Sequence, residues 1–383
     1  MTARAGAKPR WVRALTILLG LAAAANVAAW SREMVLGGIH NDYAIYLTLT
    51  YVGVHSGWPH VYDWEATRPV IHLFGSHYWP TPQNSDALGN GNQYLPLTML
   101  LFVPFLYLPY EVGDLLWLAI ITVALLATWW VLAPDRWRLA NLFVMLASLP
   151  VGFALWLGQV VPLVAVCIAV SWKLLEDRRD FIAGVVLAGV LVKPNLAVLV
   201  PVALVFNGRP RAIAGLATAG AVAGLVTFAL LQPYGVIQYI DHLRSVSLIQ
   251  SHEVLDSGLT MVGIFGIGPA LLGADLVVLA AVAWIAFTTR AEGAAAGFAA
   301  AIAGSLLVTT YLHWQDLLMV LPAGWLWLRS RAAARHTVPW LVVVLLVASF
   351  TIAVPQVLMA WLALMVAETV WGRRRAPVHT SAA

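Results

Sequence analysis

The chain has 383 residues, of which 61% are hydrophobic and only 10% are charged, and its formal net charge is +4. A soluble globular domain does not carry so much apolar surface, so the composition excludes a water-soluble protein. The Lys and Arg residues are scattered at the ends of apolar segments, which argues against nucleic acid as a partner. A single cysteine, Cys167, excludes a disulfide within the chain.

The apolar segments indicate membrane-spanning helices. About 20 helical residues cross a hydrocarbon core roughly 30 Å thick, where every backbone group must bond within the protein. Strands of a membrane barrel would alternate polar and apolar residues, and these segments do not. We therefore predict an all-α polytopic membrane protein with about 11–13 transmembrane or half-membrane helices, surrounded by membrane lipids. The apolar segments cover residues 14–30, 95–109, 112–133, 139–157, 160–175, 181–206, 211–232, 259–289, 293–311, 315–329, 338–354 and 356–371.

The first apolar segment, residues 14–30, follows four basic residues and is not followed by a small-residue cleavage site. It is predicted to be a retained helix. Residues 43–56 mix Tyr, Thr and Gly with apolar residues, which is typical of a helix lying in the membrane interface. The predicted organisation is one domain: a cytoplasmic tail and first helix (1–31), an outer loop (32–94), a helical bundle (95–371) and a cytoplasmic tail (372–383).

Clusters of basic residues predict which loops face the cytoplasm. The clusters are Lys173 to Arg179, Arg209 to Arg211, Arg329 to Arg335 and Arg373 to Arg375. With these loops inside, both termini of a plasma-membrane protein are cytoplasmic, and nearly every unusual polar residue falls on the outer side. The outward connections are then residues 32–94, Gly158-Gln159, Lys193-Pro194-Asn195, residues 233–258 and Tyr311 to Asp316.

Two stretches do not fit a simple series of full spans. Residues 181–206 must go out and back, so each arm is only about a dozen residues long and must line a cavity inside the protein. Successive spans should also place their connecting loops on alternate sides of the membrane, and between residues 95 and 160 they do not. This predicts that one apolar run in that interval does not cross completely.

Asp42 is a carboxylate just after the first apolar segment, in the run His40-Asn41-Asp42-Tyr43. Such a residue in so apolar a chain is more often functional than incidental. It could act as a general base or bind a cation. Asn41 and Asp42 could equally cap a helix that starts at Tyr43, and spacing alone leaves these alternatives even.

Lys193 interrupts residues 185–206, where no other residue is charged. An ammonium at mid-membrane costs roughly 2.5–3.5 kcal/mol on insertion scales, so a partner or an anionic ligand is expected. Pro194 breaks the helix and frees backbone groups beside the cation. This arrangement favours a phosphate ligand over the alternative, a lysine that reaches the interface from a short helix end.

His313 and Asp316 are three residues apart and so lie on one helix face. His313 could donate to a phosphate or carry a proton. The alternative is an interfacial histidine beside an aspartate that caps a helix. Gln159, in the turn after Gly158, could hydrogen-bond a polar ligand.

Several kinds of site are missing from the sequence. It contains no tightly spaced metal-binding histidines, no phosphate-binding Walker loop, no dinucleotide-binding glycine pattern and no Gly-x-Ser-x-Gly elbow. Asp42 with Asp63 or Glu65 could hold a divalent cation. A lone Asp in this motif favours a metal-free mechanism, and no cofactor is expected.

The order of short motifs resembles that of the GT-C class of membrane glycosyltransferases, and within it family 87, the polyprenyl-phosphate-mannose-dependent mannosyltransferases. The sequence departs from the family's pattern at Tyr43, where Phe or Leu is usual, and at Leu95, where Pro is usual. The Asn-x-Ser element of the family is present only as Ser257-Gly258-Leu259-Thr260. The matching motifs are Asp42-Tyr43-x-x-Tyr46, Tyr62-Asp63, Tyr94-Leu95-Pro96, Pro104, Gly158-Gln159, Lys193-Pro194 and His313-x-x-Asp316.

This resemblance implies a GT-C fold and transfer of one sugar, mannose by analogy, from a polyprenyl-phosphate donor to a lipid-linked or glycan acceptor on the outer face. Asp42 would then be the catalytic base. Lys193 and His313 would bind the donor phosphate. The remaining residues expected to contact substrate are Tyr46, Tyr94, Gln159 and Asp316. Another hypothesis, from the buried charges alone, is a secondary transporter in which Asp42, Lys193 and His313 relay an ion or a proton.

Overall fold

The structure is a computed structural model that describes residues 10–37, 41–75, 94–252, 258–330 and 354–375. Regular secondary structure in these ranges is helical throughout, which confirms the predicted all-α class. Parts of the predicted outer loop, the apolar run 338–354 and the C-terminal tail lie outside the described residues. The α-helices are α1 Arg10–Gly37, α2 Asn41–Val52, α3 Trp64–Gly75, α4 Pro96–Leu100, α5 Tyr110–Leu132, α6 Arg138–Ala147, α7 Leu149–Leu157, α8 Val161–Glu176, α9 Asp180–Leu187, α10 Val200–Phe206, α11 Pro210–His252, α12 Val262–Phe265, α13 Pro269–Thr289, α14 Ala295–Val308, α15 Val320–Arg329 and α16 Val354–Arg375.

Four helices in the described part of the chain are long and apolar enough to cross a membrane. The pair α6 and α7, bent by 62°, makes a fifth if it counts as one span. Shorter apolar helices accompany them, among them Asp180–Val192 and Ala295–Val308. The chain is therefore a polytopic helical membrane protein in which full spans and shorter helices are mixed. The four long spans are Tyr110–Leu132, Pro210–Arg244, Pro269–Glu292 and Val354–Trp371.

The basic loops meet at one end of the bundle, called here the basic end. Arg178, Arg209, Arg211 and Arg290 line a single cavity there. Arg329, at the end of α15, joins them, because its guanidinium donates to the carbonyls of Leu132 and Ala133 at the end of α5. Burial lowers the pKa of Arg329, and the nearby carboxylate of Glu176 acts in the opposite direction. Loops that the sequence assigned to one side of the membrane are thus brought together by the fold.

The polar turns meet at the opposite end, called here the site end. Helix α8 begins just after Gln159 and ends in the basic loop at Glu176, so its 16 residues separate the two ends by about 24 Å. Helix α9 and the 3-10 turn Ala188–Val192 return from the basic loop to Lys193. Helix α14 likewise leads from the basic end to the turn before His313.

The broken arms predicted for residues 181–206 are present. The chain enters through α9, breaks at Lys193, and leaves through the short turn Pro194–Leu196 and α10. One side of each arm is buried against neighbouring helices, at Leu187 and Leu204, and the other side is exposed, at Val185 and Val205. At Gly184, a Cβ would lie only 1.9 Å from the carbonyl oxygen of Ala212 in α11, so the two backbones touch directly. Only glycine permits this approach.

The run of residues 95–109 begins and ends at the same end of the bundle. It begins beside Tyr94, whose ring meets Tyr46 of α2 at 4.8 Å. It ends at Tyr110, whose ring meets Tyr43 of the same helix at 5.4 Å. Both ends of this run therefore lie at the site end. A run that returns to the end where it began fits the predicted incomplete crossing between residues 95 and 160, which stays a prediction.

Helix α1 ends near the site end, which positions Asp42 there. It runs parallel to α6 and α7: Asn26 donates to the carbonyl of Leu146 at 2.8 Å, and Trp30, four residues on, packs against Phe153 at 4.9 Å. Because α7 ends at the Gly158 turn, the chain leaves α1 beside that turn. Helix α2 then begins at Asn41, with Asp42 in its first turn.

The segment predicted as the connection 233–258 is largely helical instead. After the non-helical residue Gln232, whose φ is +55° and ψ is 177°, a second helical stretch of α11 runs from Pro233 to His252. This stretch lies across the loop that follows α2, where Tyr239 meets the ring of Tyr62 at 4.8 Å. The non-helical backbone at Gln232 ends the first helical stretch of α11, and a second stretch begins at Pro233, since a proline is tolerated at a helix start. The second stretch thereby forms a wall at the site end.

Candidate active site

The turn at Gly158 positions Gln159. Gly158 ends α7 in the left-handed conformation, with φ +71°. A side chain there would be strained, and its Cβ would lie 3.3 Å from Cβ of Tyr43. The Gly158 carbonyl accepts a 2.7 Å hydrogen bond from the indole of Trp117, which fixes the turn against α5. Gln159 is therefore held in one place, and only 2% of it is exposed.

Gln159 links three of the predicted site residues. Its Nε2 donates a hydrogen bond to Oδ2 of Asp42. Its Oε1 accepts from Nζ of Lys193 at 3.4 Å and from the hydroxyl of Tyr94 at 3.3 Å. An amide has a donor end and an acceptor end, so it can satisfy a carboxylate and a cation at once. The structure thus joins residues 42, 94, 159 and 193 in one hydrogen-bonded cluster.

Lys193 has the anionic partner that its position required. Its Nζ lies 2.5 Å from Oδ1 of Asp316, and the two side chains are 5% and 0% exposed. The second oxygen of Asp316 accepts from the backbone N–H of His313 at 3.2 Å. Asp316 therefore caps the turn Trp314–Met319, as the sequence suggested, and it also neutralises a buried cation, a pairing that the sequence did not indicate. Such a pair fixes geometry more reliably than it adds stability.

Asp42 does not cap helix α2 from the position before it, because it lies within the first turn of the helix. The helix begins at Asn41, two residues before the predicted start at Tyr43, and the carboxylate of Asp42 accepts a hydrogen bond from Gln159. Burial raises the pKa of Asp42 from 3.8 to about 6. Lys193 and His313 act in the opposite direction, as does the hydrogen bond from Gln159, whereas Asp316 raises the pKa further. A carboxyl that titrates near neutral pH is suited to proton transfer.

A cavity of about 250 Å³ opens beside Lys193. Lys193 and His313 line it together with Tyr94, so it carries a cation, an imidazole and a phenol. Asp42 is not among the described residues on its walls; Gln159 and Tyr94 connect Asp42 to it. The other lining residues are Val192, Pro194, Asn195, Tyr239, Leu243, Thr309, Thr310 and Tyr311.

The family comparison agrees with this geometry. Residues 92–313, more than half of the chain, match the family model described as glycosyltransferase family 87. The chain belongs to glycosyltransferase family 87. Neither the curated proteins nor the solved structures give a match.

Membership of family 87 makes the chain a glycosyltransferase and confirms the resemblance read from the motifs. It also decides against the hypothesis of a secondary transporter. The matched range contains Tyr94, Gln159, Lys193 and His313. Asp42 precedes that range, so the structure, and not the family match, connects Asp42 to the rest of the cluster.

Two residues expected to contact substrate are completely buried. Tyr46 is 0% exposed, with its ring stacked on Phe102 at 4.6 Å and edge-on to Tyr94 at 4.8 Å. Asp316 is also 0% exposed, behind Lys193. In this structure they hold Tyr94 and Lys193 in position, and direct contact with a substrate stays a prediction.

The sequence reasoning missed the hydroxyl- and amide-bearing residues of the cavity wall. Asn195 follows Lys193-Pro194 directly, and Thr310 and Tyr311 precede His313, so proximity to the motifs could have indicated them. Tyr239 gave no such signal, because it lies in a segment predicted to be a connection. Among the described residues, no group of three His, Cys, Asp or Glu side chains could hold a metal ion.

Proposed function

We propose that this family 87 glycosyltransferase transfers one sugar, mannose by analogy with the family, from a polyprenyl phosphate to a hydroxyl group of a lipid-linked or glycan acceptor. The observation that carries the proposal is the Gln159 bridge, which connects a carboxylate of raised pKa to a buried ammonium that lines a cavity. Transfer to a hydroxyl requires such a pair, a base for the incoming group and a cation for the leaving one.

Asp42 serves as the base in this proposal. The acceptor oxygen attacks the anomeric carbon while its proton passes to the carboxylate of Asp42. Because the pKa of Asp42 is about 6, most molecules hold the carboxylate form at neutral pH. A positioned base contributes roughly 10²–10⁴-fold, so other groups must supply part of the catalysis.

Lys193 and His313 serve as the phosphate-binding groups. When the bond between the anomeric carbon and the phosphate oxygen breaks, the electron pair stays on that oxygen and the polyprenyl phosphate gains negative charge. Donors aimed at the developing charge stabilise the transition state more than the ground state. Asp316 already neutralises Lys193, so Lys193 acts here as a fixed hydrogen-bond donor rather than as an unpaired charge.

The cavity wall suits the sugar. Asn195, Thr310 and Tyr311 supply amide, hydroxyl and phenol groups that can hydrogen-bond sugar hydroxyls. With the sugar and phosphate in the cavity, the acceptor reaches the anomeric carbon from the side of Asp42, opposite the leaving phosphate. Direct displacement inverts the anomeric centre, so a β-linked donor gives an α-linked product.

The side of the membrane on which transfer takes place is inferred from the positions of the basic loops. The site end lies opposite the basic end, and basic loops favour the cytoplasm. The proposal therefore places transfer at the outer face of the plasma membrane, with the polyprenyl tail between helices and with no divalent cation in the mechanism.

The test is sugar transfer by the purified protein in liposomes. Labelled polyprenyl-phosphate mannose, the glucose and arabinose analogues and GDP-mannose are offered with an extract of membrane glycolipids, with and without EDTA. The wild type is expected to use a polyprenyl-phosphate sugar, to ignore GDP-mannose and to tolerate EDTA. Asp42→Asn should lose transfer, whereas Glu111→Gln, an exposed carboxylate at the same end, should keep it.

Different failures have different meanings. Unchanged transfer by Asp42→Asn would contradict the assignment of the base while leaving the family activity intact. Use of GDP-mannose alone would overturn the lipid donor. Lys193→Ala should weaken donor binding more than acceptor binding, and an equal loss of both would show that Lys193 is only structural.

A further inference from the structure

A second charged cavity, of about 550 Å³, lies at the basic end of the bundle, away from the Asp42 cluster. Four arginines from three separate connections converge on it. Arg178 follows α8, Arg209 and Arg211 flank the start of α11, and Arg290 follows α13. None of these residues takes part in the proposed transfer reaction.

The cavity keeps unpaired positive charge. Of its three carboxylates, Asp180 already faces Arg209 at 3.4 Å, and Glu176 contributes to the charge around Arg329. Among the residues that the structure describes, Arg178 and Arg211 form no ion pair. Glu292 is the remaining acidic residue on the wall. An anion would therefore meet cations here that the protein itself does not neutralise.

The backbone adds to this potential. Helix α11 and the 14-residue helix α14 both begin at this end of the bundle. A helix N-terminus carries partial positive charge and free N–H groups. The arginines and two helix starts thus favour the same kind of ligand, a phosphate group.

The surface beside the cavity is apolar and exposed. Phe181, Ile182 and Val185 of α9 are 47%, 51% and 40% exposed. The first two follow the cavity residue Asp180 directly, and Val185 lies about one helical turn further on. A free phosphate ion would gain nothing from these side chains. A phospholipid would place its acyl chains against them and its headgroup in the cavity.

We propose that this cavity binds the phosphate headgroup of an anionic membrane lipid. Basic pockets between membrane helices on the cytoplasmic side are suited to such headgroups. The proposal does not depend on the reaction at the site end, because the two cavities share no residue.

The test is lipid binding by full-length protein in a neutral detergent, followed by native mass spectrometry and by the shift in unfolding temperature. The probes are phosphatidylglycerol, phosphatidylcholine and inorganic phosphate. The wild type is expected to retain phosphatidylglycerol in preference to the other two. The double variant Arg178→Gln/Arg211→Gln should bind it about thirtyfold more weakly, since each arginine near an anionic lipid is expected to contribute about fivefold.

Two further variants make the test independent of folding. Glu292→Gln removes a competing carboxylate and should strengthen phosphatidylglycerol binding. Arg244→Gln, an exposed arginine outside this cavity, should leave binding unchanged. Equal retention of phosphatidylcholine would overturn the proposal, as would weaker binding by Glu292→Gln. Inorganic phosphate that binds as tightly as the lipid would also overturn it and would leave a simple anion site.

Discussion

Replacing Asp42 with asparagine is expected to abolish sugar transfer and yet to stabilise the folded protein at neutral pH. The reason is the cost of holding a carboxylate at this position. Burial raises the pKa of Asp42 from 3.8 to about 6, which corresponds to about 3 kcal/mol in favour of the protonated form. Asparagine keeps nearly the same shape and carries no charge, so it avoids that cost.

The sign of the pH dependence follows from the same shift. The folded protein binds the Asp42 proton more tightly than the unfolded chain, because its pKa is higher when folded. The contribution of Asp42 to stability is therefore greatest below about pH 4, falls between pH 4 and pH 6, and reaches its lowest value above pH 6. The asparagine variant lacks this dependence.

The assay is the free energy of unfolding in mixed detergent micelles, measured for both proteins between pH 4.5 and 7.5. Asp42→Asn should be more stable by up to about 3 kcal/mol at pH 7.5, and the difference should shrink towards pH 4.5. Glu111→Gln is the control and should show no such trend. A variant that is less stable by the same amount at every pH would refute the reasoning. Asp42 would then serve α2 as an ordinary first-turn acid.

Three further outcomes are expected. Asp316→Ala leaves the buried ammonium of Lys193 without its carboxylate and should lower the free energy of unfolding by about 3–5 kcal/mol; Lys193→Met in the same chain should restore most of it, as thermal unfolding would show. Gln159→Leu removes a hydrogen bond that lowers the pKa of Asp42, so the acidic limb of the transfer rate should move to higher pH; a limb that stays in place would exclude this coupling. Gly184→Ala places a Cβ 1.9 Å from a carbonyl of α11 and should lower the unfolding temperature, whereas Gly220→Ala, which has open space, should not.

The membrane class and the positions of the main breaks could be predicted from the sequence because they depend on local composition. Polar residues indicate where helices end. Pro194 beside Lys193 indicates a break in the helix, whichever neighbours that segment packs against. The clustered arginines likewise indicated which loops share an end, since that pattern is a property of each loop by itself.

Pairing between distant residues could not be predicted. Nothing in the sequence states that Lys193 meets Asp316, 123 positions away, or that Gln159 bridges to Asp42. Those contacts depend on the relative placement of α1, α7 and the broken arms. The motifs placed all four residues at one end of the bundle, and only the packing of the helices gave them partners.

The second helical stretch of α11 was missed for a different reason. Pro233 and the polar residues after it are typical of a helix end, and the sequence reasoning ended the helix there. The first helical stretch does end there, at the non-helical residue Gln232. A second stretch follows directly, and its Tyr234 and Tyr239 rings pack against His60 and Tyr62. This second stretch was not predicted, and with it the cavity residue Tyr239 was missed.

The most direct test of the central claim is the initial rate of mannose transfer from labelled polyprenyl-phosphate mannose in liposomes, measured from pH 5 to 8. The wild type is expected to show a rate that falls about tenfold per pH unit below pH 6, as the carboxylate of Asp42 is protonated, while Asp42→Asn shows only background. Transfer by Asp42→Asn at the wild-type rate, with the same acidic limb, would contradict the account.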